Sequence, residues 1–162
     1  MRFLESVVSV CALTLVVSAT AQQRDESEVV FVGTTDPDMV VAIKQARATL
    51  PDFLKLAANP PSGTEGYKLK VMVIDGDKTE HFWVTPFKAL AEGFAGAIAN
   101  DPKFVRNVKS GQIVQFDESL ISDWGYTRDG RQVGSFTVCV LFKKMPADQA
   151  EYYRKNYGFD CR

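Results

Sequence analysis

Histidine occurs once in the 162 residues, at His81, and cysteine three times, at Cys11, Cys139 and Cys161. One histidine excludes a His-rich zinc site, and there is no second Cys pair to build one from thiolates. No single charge dominates: 19 Lys and Arg against 20 Asp and Glu leave a net charge of −1. Such a balance argues against nucleic acid or an anionic membrane as the main partner, since both select a basic surface. Internal repeats and low-complexity tracts are absent. Long apolar runs are also missing, except Val7 to Val17, and that run is too short to cross ~30 Å of hydrocarbon comfortably.

That run belongs to a segment unlike the rest. Met1-Arg2-Phe3 supplies a positive start, the apolar run follows, and Ser18-Ala19-Thr20-Ala21 places small residues where a signal peptidase needs them. The order reads as a secretory signal over residues 1–21, cleaved after Ala21, with an oxidising destination, periplasmic or secreted. Cys11 lies inside the apolar run behind Val10, which does not fit lipoprotein processing. No stable membrane insertion is expected once the leader is gone. Two cysteines then remain, and an even count in an oxidising compartment invites a Cys139–Cys161 disulfide. Closing that loop stabilises a fold by roughly 3 kcal/mol in the chain-entropy model.

Residues 22–35 read as a polar tail with a short edge strand, Val29-Val30-Phe31-Val32, and 36–162 as one α+β domain. Thr35-Asp36 are capping candidates, and Pro37 suits the first helical position. Val40, Ile43, Ala46 and Leu50 recur at helical spacing, which predicts one apolar face. Pro51 predicts a break or kink, with a second short helix to about Ala58 carrying Phe53, Leu54 and Ala57 inward. Asn59-Pro60-Pro61-Ser62-Gly63 is a loop. From Tyr67 the period becomes two: Tyr67, Leu69, Val71 and Val73 alternate with Lys68, Lys70, Met72 and Ile74. The turn at Asp75-Gly76-Asp77-Lys78 joins this strand to a partner, Thr79 to Phe87. Short strands follow at Phe94 to Ala99 and Gln112 to Phe116. Leu120 to Thr127 and Gln132 to Phe142 flank Asp129-Gly130 as a hairpin. Pro146 opens a final helix to about Asn156, with Gly158 placed to end it. The fold class expected is α+β: an antiparallel meandering sheet with an N-terminal helical segment and a C-terminal helix packed against it.

Two segments are denser in reactive and aromatic residues than packing requires. One is Glu80-His81-Phe82-Trp83-Val84, and the other is Ile121-Ser122-Asp123-Trp124-Gly125-Tyr126 with Gly134-Ser135-Phe136-Thr137 across its turn. In both places, and over roughly Val40 to Leu141, the chain resembles the bacterial family known as domain of unknown function 2314. The resemblance rests on Leu69-Lys70-Val71, Glu80-His81-Phe82-Trp83, Gly93-Phe94-Ala95-Gly96 before Asn100-Asp101-Pro102, Gly111-Gln112-Ile113-Val114, Ile121-Ser122-Asp123-Trp124 and Gly134-Ser135-Phe136-Thr137. Ser135 departs from the pattern, standing where family members often carry a second Gly. The C-terminal helix and Cys161 lie outside the resemblance, which implies no settled activity.

The residues themselves support two readings. His81, Trp83, Asp123 and Trp124 make a candidate binding surface on the sheet for a protein or peptide, because aromatic faces stack on such ligands. Each also has a plainer role. Sheet tryptophans are usually core, a strand histidine is usually hydrogen-bonded in place, and Asp123 suits a cap on nearby backbone N–H groups. The alternative is a small hydrolase-like enzyme using His81 with Asp123 or Glu80, or with Ser135 as nucleophile. Ser135 lacks a G-x-S-x-G elbow, and Glu80 and His81, as strand neighbours, point to opposite faces. Asp75, Asp77 and Glu80 fail the calcium-loop spacing. No metal and no cofactor is expected, and the leading expectation is a non-enzymatic exported binding module.

Overall fold

Asp36 opens the first helix as the capping pattern predicts. Its carboxylate accepts from the backbone N–H groups of Asp38 (3.0 Å) and Met39 (3.3 Å), and Pro37 follows at the first helical position. The computed structural model describes residues 35–161. The expected leader and the edge strand at 29–32 lie outside the described residues. Helix α1 runs Pro37–Ala58 without a break, so Pro51 is accommodated inside one element rather than dividing two. Proline removes one bond, the N–H that would reach the Arg47 carbonyl. One residue earlier, the Ala46 carbonyl takes an added donor from the sheet, the Trp124 indole Nε1 at 2.9 Å.

Among the described residues, six strands form one antiparallel sheet: β1 Thr64–Asp75, β2 Lys78–Ala89, β3 Phe94–Ile98, β4 Ile113–Phe116, β5 Ile121–Arg128 and β6 Arg131–Gly134. Their spatial order is β4-β3-β2-β1-β5-β6. The β1–β2 and β5–β6 pairs are hairpins whose turns place Gly76, Asp129 and Gly130 at positive φ, which the Asp-Gly dipeptides supply. The fold is α+β, with the helices before and after the strands in the described residues.

Residues alternating along β1 divide between the two faces. Leu69 and Val71 join Phe82, Val84, Ile98, Trp124 and Tyr126 in the core under α1, which contributes Ala46, Leu50 and Phe53. Phe53 is the hub, with ring centroids of Trp124, Tyr67, Phe87 and Tyr126 at 4.8, 5.8, 6.0 and 6.3 Å. Truncating such a side chain to Ala costs about 3–5 kcal/mol.

Two further expectations are corrected. The second arm of the last hairpin ends at Gly134, and Phe136–Phe142 is a helix, α2, not a strand. A seven-residue apolar run satisfies either period, and the decision falls to the residues before it: Gly134 and Ser135 both adopt positive φ, which ends the strand and turns the chain. The inward face of α1 is correspondingly different at its start. Met39 and Ala42 are buried against Val140 of α2, while Val40, expected inside, is half exposed. Helix α3, Ala147–Tyr157, ends at Gly158 in the left-handed conformation. It is held by Tyr153 and Phe159 against Phe142, and by a disulfide between Cys139 and Cys161. Among the described residues no helix is long and apolar enough to cross a membrane.

Candidate functional site

The even-numbered side chains of β1 point away from α1, and strand register decides what they meet. Lys70 pairs with Trp83 of β2 on one side and with Asp123 of β5 on the other, while Met72 pairs with His81. Lys68, Lys70, Met72, His81, Trp83 and Asp123 therefore share the second face of the sheet. Trp124 does not. It is the next residue along β5, so it points into the core, 7 % exposed, with its ring stacked on Phe53 and edge-on to Phe136.

Asp123 is fully buried on that second face and has an architectural task. One carboxylate oxygen accepts from the N–H groups of Trp124 (2.8 Å) and Phe136 (3.3 Å); the other accepts from the Thr137 N–H (2.8 Å) and hydroxyl (2.7 Å). Phe136 and Thr137 are the first two residues of α2, whose own cap residue, Ser135, makes no side-chain bond there. Asp123 thus caps a helix from a neighbouring strand, satisfying donors that would otherwise be orphaned. Burial pushes its carboxyl pKa up, and the Thr137 bonds and the Lys70 charge pull the other way.

His81 is half-buried and bonded through Nδ1 to the Ser122 hydroxyl at 2.8 Å. Ser122 sits in the β-bulge of β5 and donates its one hydroxyl hydrogen to the Lys70 carbonyl at 3.2 Å. Its oxygen must then accept from His81, which places the imidazole proton on Nδ1. Nε2 is left as a buried acceptor without a partner among the described residues. Burial, then the positive charges of Lys70 and Arg47, push the His81 pKa down to about 4, so the ring is neutral at physiological pH.

Trp83 is the aromatic member of the face. The Lys68 ammonium lies 4.8 Å from its ring centroid and the Lys70 ammonium 5.6 Å, both within cation–π range. Lys68 Nζ also donates to Gln132 Oε1 (3.3 Å) and Lys70 Nζ to the Thr137 hydroxyl (3.0 Å). Burial lowers the pKa of both lysines, against the pull of Asp123. Sequence reasoning singled out neither lysine, although Lys68-Leu69-Lys70-Val71 signals two basic residues on one face of a strand.

No catalytic set assembles from the candidates. Glu80 points to the opposite face from His81, where its carboxylate accepts from the backbone of Lys103, Phe104 and Val105 and pins the following loop. His81 bonds to Ser122 rather than to Asp123, whose two oxygens are each doubly occupied. Ser135 is fully buried, its hydroxyl without a partner among the described residues, pressed toward Gly125. It stands at φ 54°, a conformation that glycine adopts without strain.

A family model described as "Uncharacterized protein conserved in bacteria (DUF2314)" matches residues 36–161. The match extends over α3 and Cys161, beyond the segments that carried the resemblance in the sequence. The chain is similar to the Escherichia coli K12 protein named "Uncharacterized protein YegJ", 33 % identical over 143 residues, which cover 88 % of this chain and 92 % of that one. It is also 27 % identical over 86 residues to a putative ankyrin repeat protein of Neisseria meningitidis serogroup B, covering 53 % of this chain and 34 % of that protein. No solved structure matches.

Proposed function

This chain belongs to the DUF2314 family, and we propose that it is a non-enzymatic, exported module that binds a protein or peptide on the second face of its sheet. The observation that carries the reading is the placement of Trp83, His81, Lys68, Lys70 and Met72 together on that face. The helix-capping and core residues around them hold it rigid. A preorganised surface with an aromatic anchor and polar neighbours is the physical form of a binding hot spot. Export is supported by the Cys139–Cys161 disulfide, a bond that persists in oxidising compartments.

The hydrolase alternative finds less support. His81 is neutral and bonded to a buried serine that is itself committed to a backbone carbonyl, and Asp123 is consumed in capping. The test is selection of binders to the mature domain from a displayed library of random peptides. Binders lost on Trp83→Ser and kept on Ile113→Ser, an exposed position on the edge strand β4, are the expected result. Binders indifferent to Trp83→Ser would overturn the placement of the site. A mature N-terminus at Gln22 in the periplasmic or extracellular fraction checks the export reading.

A further inference from the structure

Two ammonium groups flank one indole on the second face, and neither is in an ion pair among the described residues. Each uses one donor, Lys68 on Gln132 and Lys70 on the Thr137 hydroxyl, which leaves further N–H directions on both. The nearest carboxylate does not satisfy them. Asp123 directs both oxygens at the start of α2 and at Trp124, where four donors absorb its charge. The patch is therefore a pair of cations with an aromatic floor and, among the described residues, no acidic side chain directed at it.

We infer that this patch is a carboxylate-binding subsite, and that the partner presents an acidic side chain in an extended segment. The inference rests on the binding reading above and names its chemistry. An incoming carboxylate meets the half-buried Lys68 ammonium and lies in the field of the more deeply buried Lys70 ammonium, and it offsets part of what burial costs them, a cost visible in their lowered pKa values. The surroundings say why the anion belongs to a peptide. Along β1 the face continues from Lys70 to Met72 and then to Ile74, which is 53 % exposed. Alternate strand residues lie ~6.6–6.8 Å apart, the spacing of alternate side chains in an extended peptide. A Glu at one position and an apolar residue two further on match Lys70 and Met72 in register. Two lysines on a protein of net charge −1 make a small footprint for nucleic acid or an anionic bilayer, both of which draw on many basic groups.

The experiment uses the mature chain and a blocked peptide of Glu-Ser-Leu-Ser repeated twice, compared with its counterpart in which Gln replaces Glu. The readout is the indole N–H resonance of Trp83, which an exposed ligand moves and the buried Trp124 does not report. The expected result is a shift of Trp83 with the Glu peptide, weakened about tenfold by Gln, by added salt, and by Lys68→Gln with Lys70→Gln. Lys68→Gln alone serves where the double variant loses its circular dichroism spectrum, because the one hydrogen bond of the Lys68 ammonium among the described residues is to the Gln132 side chain. If neutral library peptides move Trp83 while the Glu peptide does not, or Gln binds as well as Glu, the carboxylate inference falls and the binding reading stands. If no peptide of any kind moves Trp83, the binding reading falls. Tighter association with vesicles containing phosphatidylserine than with the Glu peptide would overturn the inference in favour of a membrane.

Discussion

Replacing Ser135 by Gly is expected to stabilise the protein, and the size of the gain follows from the position. Ser135 holds φ 54° and ψ 39°, a conformation that costs an L-residue with a Cβ about 1 kcal/mol. Its hydroxyl is buried without a protein partner, which costs about 1–3 kcal/mol more. Glycine removes both costs. Against this, it loses about 0.8 kcal/mol of packing for one methylene, and about 0.4–1 kcal/mol from the added freedom of the unfolded chain. The balance is a stabilisation of about 1 kcal/mol, and for a domain of this size Tm rises by about 4 °C. Urea unfolding followed by circular dichroism measures it, with Ser135→Ala separating the two contributions: Ala removes the hydroxyl and keeps the strain. Gly134→Ala is the opposing control. A Cβ there would overlap the Trp124 carbonyl and ring, so destabilisation is expected. Loss of more than about 1 kcal/mol in Ser135→Gly, with the slope of unfolding unchanged, would refute the reasoning and show that the hydroxyl holds something in place.

Removing the carboxylate in Asp123→Ala should cost about 3–5 kcal/mol, since it strips the cap from α2 and leaves Lys70 buried beside orphaned donors; a cost under 1 kcal/mol would mean the cap is dispensable. His81 gives a pH dependence of defined sign. Its folded pKa of about 4 lies below the unfolded value of 6.5, so its contribution is complete above pH 6.5 and is lost as pH falls toward 4. The shift corresponds to at most about 3 kcal/mol. His81→Gln should flatten the difference between curves taken at pH 7 and 4.5, and an unchanged difference would show that the imidazole is not desolvated. Asp123, with its raised pKa, slopes the other way, which is why the comparison is between His81→Gln and the parent protein. Cys139→Ser with Cys161→Ser should lower stability by about 3 kcal/mol, and proteolysis should begin in α3; a stable, protease-resistant variant would refute that.

Local chemistry was readable where one residue type has one physical use. Asp36-Pro37 marks a helix start, Asp75-Gly76 and Asp129-Gly130 mark tight turns, and Gly158 marks a helix end. The strand alternation from Tyr67 to Ile74 was equally legible, and it predicted the core side correctly at Leu69 and Val71. Pro51 misled because its cost is one hydrogen bond, which packing of Leu50 and Phe53 into the core outweighs. Phe136 to Phe142 misled because its helical state depends on a carboxylate thirteen residues earlier in the chain. The same limit applied to the candidate site. His81 and Trp83 stand two apart and had to share a face. Asp123 and Trp124 are neighbours, so they could not, yet which of them faced Trp83 depended on a bulge at Ser122 that only register reveals.

That pair of neighbours on β5 has a consequence for how the molecule opens. The Trp124 indole is bonded to the Ala46 carbonyl of α1, and the Asp123 carboxylate to the first turn of α2. One dipeptide therefore grips both helices, its two side chains leaving the strand on opposite faces. Loosening either helix strains the strand that anchors the other. In amide hydrogen exchange the middle of α1 and the start of α2, though ninety residues apart in the chain, should behave as a single cooperative unit with common protection.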